Sequence, residues 1–130
     1  MTAEELIERG DAICARYAEL EAPLRAGLPK DDSREAFQRV GELLPQLGRL
    51  LRQQAAELTE LEPPAELPDG WRDNLARMIR SADLLDAGGA AAAAHDRDRF
   101  VATATEARGL ELEMAAFAQR VGFKVCGSGV

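Results

Sequence analysis

Apolar residues recur at steps of three and four along most of this chain, while alternation with period two persists nowhere and β-branched residues are sparse. The pattern predicts an all-α protein. A first stripe runs through Leu6, Gly10, Ile13, Tyr17, Leu20 and Leu24, with Ile7 and Cys14 beside it, behind a capping box formed by Thr2 and Glu5. Pro23 and the stretch "AGLPKDD" mark its expected end, and Asp32 with Glu35 reads as the capping box of a second, longest helix. In that helix Phe37, Leu44, Leu51 and Leu58 hold one heptad seam position, and Val40, Leu47, Gln54 and Leu61 hold the other. Gln54 is the single polar member, and Pro45 is expected to bend the helix without ending it.

The segment "EPPAELPDG" reads as a rigid connector, because consecutive prolines hold extended geometry and cannot continue a helix. A third helix follows with Trp71, Leu75, Met78, Ala82 and Leu85 inward and an expected stop at Gly88-Gly89. The fourth opens around His95 and carries Phe100, Thr103, Ala107, Leu110, Met114, Phe117 and Val121. Gly122 suits the left-handed residue that closes a helix, and Phe123 the apolar contact that accompanies it. Four amphipathic helices with short connectors favour an antiparallel up-down-up-down four-helix bundle. With 130 residues, one domain spanning 1–130 is expected.

Composition narrows the partners. A hydrophobic share of 46% takes the chain out of the disordered class, and a net charge of −7 without any basic run argues against nucleic acid and anionic lipid surfaces. No apolar run reaches membrane-spanning length. The sequence opens directly on a helical pattern, without a charged and then apolar leader, so the expectation is a cytosolic protein or an exported one whose leader lies outside this sequence.

Candidate chemistry is scarce. His95, the only histidine, is followed by Asp96-Arg97-Asp98, whose carboxylates would repel an incoming phosphoryl group. A cytosolic phosphotransfer domain using His95 is the alternative reading of a four-helix bundle. No Cys-x-x-Cys-His supports haem beside Met78 or Met114, and Ala92 stands three residues before His95 where a carboxylate-bridged metal site needs Glu. No nucleophile elbow or phosphate-binding glycine loop occurs. Neither an enzyme nor a cofactor or metal is expected. Tyr17, Gln54, Asn74 and Thr103 lie at or beside the seams; they either satisfy one another and fix register or line a pocket for a small ligand. Trp71 is a further candidate contact or a core anchor.

The only cysteines are Cys14, on the first helix, and Cys126, near the end of the chain. An antiparallel bundle brings the start of the first helix close to the end of the fourth, so the two can meet. A disulfide, two buried thiols and a redox-active pair all remain open on the residues alone.

"DAICARY" near the start and "GFKVCG" near the end, around "LEPPAELPDGW", resemble a group of bacterial, mostly actinobacterial, exported proteins and lipoproteins. The matching residues are Asp11, Ala12, Ile13 and Cys14, then Gly122, Cys126 and Gly127, and the resemblance spans nearly the whole chain. It implies that Cys14 and Cys126 are joined and that the protein works outside the cytoplasm, secreted or anchored to the cell envelope. The expectation is a non-catalytic, disulfide-stapled interaction or structural domain, monomeric, whose partner is a protein or a small ligand.

Overall fold

Four helices account for the described part of the chain, residues 1–128 of the computed structural model: α1 (Ala3–Ala26), α2 (Arg34–Thr59), α3 (Pro68–Ala93) and α4 (Arg97–Val121). They pack as an all-α four-helix bundle with no strand among the described residues.

Local chemistry sets each start. Thr2 Oγ1 accepts from the Glu5 amide at 3.1 Å while Glu5 Oε1 accepts from the Thr2 amide at 3.2 Å, the expected capping box. The cap of α2 falls one residue later than expected, at Ser33, whose hydroxyl accepts from the Ala36 amide at 3.1 Å. The Asp31 carboxylate accepts from the Ser33 amide at 3.0 Å and its hydroxyl at 2.7 Å, which fixes that cap, while Asp32 reaches Arg97 across the bundle at 2.5 Å. The third helix starts at Pro68, a residue without an amide N–H to satisfy. Asp96 caps α4 by accepting from the Arg99 amide at 3.1 Å.

The stretch "AGLPKDD" ends α1 at Ala26 as expected, but Pro23 and Gly88-Gly89 do not act as stops. Pro23 lies inside α1, which runs on to Ala26; it removes one backbone bond at the exposed last turn, and the Gly27 amide still bonds the Pro23 carbonyl at 3.2 Å. Gly88-Gly89 lies inside α3 because neighbouring helices approach there. A Cβ on Gly89 would stand 2.9 Å from Pro45 Cδ on α2, and one on Gly88 3.1 Å from Thr103 Oγ1 on α4. The actual end of α3 is made by His95, not the opening of α4 as expected. His95 takes φ 56°, and the amides of His95 and Asp96 bond the Ala92 and Ala91 carbonyls at 3.0 and 2.9 Å.

The buried line of α2 runs Ala36, Leu43, Leu47, Gly48, Ala55 and Leu58. Phe37, Val40, Leu44, Leu51, Gln54 and Leu61, placed in the seam by the heptad reading, are half-buried. A straight helix drifts about 20° per heptad, so a strict seven-residue seam slides off its neighbour. On α1 the buried residues are Leu6, Gly10, Cys14 and Tyr17, while Leu20 is 50% exposed. Leu6, Cys14, Ala55, Leu58, Trp71, Met78 and Phe117 form the core cluster.

Packing is uneven around the bundle. The broadest interface joins α2 to α3, α4 lies on α3, and α1 lies more sparingly on α2, with no comparable approach between α1 and α4. The inward stripe of α4 registers this: Phe100, Thr103, Ala107, Leu110, Met114 and Val121 are half-buried, and only Phe117 and Ala118 are fully covered.

Candidate functional site

The chain after α4 closes the gap between α1 and α4 at one end. Gly122 adopts φ 103°, a left-handed conformation that favours glycine, and the Gly122 and Phe123 amides both bond the Ala118 carbonyl, at 3.0 and 2.9 Å. The turn sends Phe123 over Gly10, where a Cβ would come within 2.7 Å of Phe123 Cε1, and against Trp71, with ring centroids 6.2 Å apart and 28° between planes. Three successive amides then point at one side chain. Lys124, Val125 and Cys126 donate to the Asp11 carboxylate at 3.0, 2.9 and 3.0 Å. Cys126 is joined to Cys14 with Cα atoms 5.3 Å apart, a disulfide across 112 residues of sequence. The expected pairing is present, and Gln54 Nε2 donates to Cys14 Sγ at 3.3 Å.

Beyond that clasp the helices stay apart and leave a cavity of about 470 Å³. Its floor is Leu51, Gln54 and Leu58 of α2 with Trp71, Asn74, Met78, Ser81 and Leu85 of α3. One wall is α1 at Ala18, Glu21, Ala22 and Arg25, and the other is α4 at Glu111, Met114 and Ala118. Phe123, Val125, Gly127, Ser128 and the disulfide close the end.

Two polar atoms in this lining have no partner: Asn74 Oδ1 and Ser81 Oγ. Ser81 is 5% exposed. A hydroxyl inside a helix ordinarily bonds the carbonyl one turn back, as Thr59 does with Ala55 at 2.7 Å and Thr105 with Val101 at 2.9 Å. Ser81 makes no such bond, and a buried polar group without a partner costs about 1–3 kcal/mol. The two wall carboxylates are neutralised locally, Glu21 by Arg25, itself in the wall, at 3.2 Å and Glu111 by Arg108 at 3.3 Å.

Gln54, Trp71 and Asn74, singled out from the sequence, meet on this cavity. Tyr17 and Thr103 do not line it. The Tyr17 hydroxyl donates to the Glu57 carboxylate, which also accepts from Arg16. That bond, with burial, raises the Tyr17 pKa above its ordinary value, and Tyr17 first and Arg16 second hold the Glu57 carboxyl below the usual range. Thr103 donates to the Phe100 carbonyl at 2.8 Å and packs where Gly88 makes room. Sequence reasoning missed Asp11 as a clasp and Ser81 as a cavity residue. The signal for Ser81 was its place between Met78 and Leu85 on the inward face; for Asp11 it was an acid one residue after a glycine, one turn before Cys14.

Among the described residues no cluster of three or more His, Cys, Asp or Glu side chains is placed to hold a metal ion, and no helix is long and apolar enough to cross a membrane. The fold and site together define a disulfide-clasped four-helix bundle with a cavity along its unclosed side. Comparison with known proteins gives no match: no family model, no curated protein and no solved structure matches this chain.

Proposed function

We propose that this chain is a non-catalytic, disulfide-stapled binding domain of an exported bacterial protein, secreted or lipid-anchored, acting as a monomer. The observation that carries the reading is the Cys14–Cys126 bond, which fastens the end of the chain across the gap between α1 and α4. Structural disulfides persist in oxidising compartments and are reduced in the cytosol, so a bond that forms part of a cavity wall suits a protein that works outside the cell membrane. The cavity beside the bond supports binding as the task, and the resemblance of "DAICARY" and "GFKVCG" to exported bacterial proteins points the same way.

Fractionation of the natural cells, followed by alkylation and intact mass measurement under non-reducing conditions, tests this. The expected result is an extracytoplasmic protein carrying no alkylatable thiol. Recovery in the cytosol with both cysteines alkylated would overturn it.

Phosphotransfer through His95 is the competing reading, favoured by the exposure of that side chain. Against it, His95 is engaged in closing α3 at positive φ and is followed by Asp96 and Asp98. Incubation with acetyl phosphate decides between them: phosphohistidine in the native protein and not in His95→Ala would favour phosphotransfer.

A further inference from the structure

We infer that the cavity between α1 and α4 takes an uncharged molecule with an alkyl or other apolar body and a hydroxyl or amide group. The inference rests on the binding-domain reading and specifies its ligand class. Most of the lining is apolar, with Leu51, Leu58, Met78, Leu85 and Met114 surrounding a space of about 470 Å³, which is within the range of small-molecule sites. Its buried polar atoms without partners are both neutral, Asn74 Oδ1 and Ser81 Oγ, while Gln54 in the floor already gives its amide to Cys14 Sγ. Asn74 and Ser81 lie seven residues apart on one face of α3, about 10 Å along the axis at 1.5 Å per residue. An alkyl chain of that length spans from one to the other.

The same geometry excludes ions. The wall carboxylates Glu21 and Glu111 are each paired with an arginine of their own helix, so neither offers an open counter-charge to a buried ammonium. Arg25 is engaged by Glu21 in the same way, and the net charge of −7 repels anions on approach. A charged head group entering this space would lose its hydration without compensation, whereas a hydroxyl both donates and accepts and so completes Asn74 or Ser81.

Three ten-carbon probes of equal length test the inference: 1-decanol, decanoate and decylammonium, each titrated below its aggregation limit into the oxidised protein. Trp71 is the only tryptophan and lines the cavity, so its emission reports occupancy directly. The expected result is saturable change with 1-decanol at least about tenfold tighter than with either ion, abolished in Ala18→Phe, which fills the cavity from an exposed wall position. The double variant Asn74→Leu/Ser81→Ala, checked for retained helicity, should bind 1-decanol about five- to tenfold more weakly. An unchanged Trp71 signal, an ion that binds as tightly as the alcohol, or equal affinity in the double variant would each overturn the inference. None of those results touches the exported, disulfide-bonded reading, which falls if the natural protein is cytosolic and reduced.

Discussion

Asp11 holds Cys126 from the backbone side: its carboxylate accepts the Cys126 amide at 3.0 Å while the same residue's sulfur is bonded to Cys14, one turn further along α1. One acid thus orients the segment that the disulfide fixes. Asp11→Ala strands three amides, and the expected loss is about 2 kcal/mol of unfolding free energy in urea, with the bond still formed by mass measurement. A loss below about 0.5 kcal/mol would show that water replaces the carboxylate without penalty.

Removing the bond itself should cost more. Its closed loop of more than a hundred residues limits the unfolded chain, and Cys14→Ser or Cys126→Ser should lower stability by about 2–4 kcal/mol relative to the oxidised protein. Reduction should reproduce either variant. Equal melting of oxidised and reduced protein would contradict this.

Glycine positions divide sharply by surroundings. Gly10→Ala and Gly89→Ala push a methyl to within 2.7 Å of Phe123 and 2.9 Å of Pro45, and each should destabilise by about 1–3 kcal/mol. Gly109 lies within α4 with nothing inside 4 Å, so Gly109→Ala should stabilise by about 0.5–1 kcal/mol through lower chain entropy. Chemical denaturation of the three variants checks the order, which reverses if crowding at Gly10 and Gly89 relaxes freely.

The Tyr17–Glu57 bond gives the fold a two-sided pH dependence. The lowered Glu57 pKa contributes stability above its unfolded value, about 4.3, and that share is lost as pH falls through the folded value. The raised Tyr17 pKa contributes fully below about 10, and its share is lost as pH rises beyond that. Tyr17→Phe should be less stable at neutral pH and flatter on both limbs of a stability-against-pH curve. Curves that stay parallel to the native one would refute the coupling.

Ser81→Ala removes a buried hydroxyl that has no partner, so the unliganded protein should gain up to about 1 kcal/mol. Differential scanning calorimetry measures it directly, and a loss of that size would mean that the hydroxyl is satisfied by solvent in the cavity.

Helix number, type and order were legible in the sequence because periodicity and caps are local. Gly122 was read correctly since its left-handed turn is needed by its own helix, whereas Gly88-Gly89 was misread as a stop because Pro45 and Thr103, far away in sequence, decide its use. Gln54, Trp71 and Asn74 stood out as polar or bulky residues on inward faces, and they do line one cavity. Their companion Ser81 did not, since only the separation of α1 from α4 turns that face toward open space. Asp11 depended on where three distant amides would arrive, which no local pattern encodes.

The position of the clasp also governs how the molecule bears tension. A pull applied from outside Cys14 and Cys126 passes through the sulfur atoms and leaves the chain between them, the second half of α1 with α2, α3 and α4, unloaded. The bond withholds the 112-residue span between the two cysteines, about 390 Å of fully extended chain at roughly 3.5 Å per residue, until it is cut. Oxidation state therefore sets the molecule's extensibility, with α2, α3 and α4 standing outside the line of force.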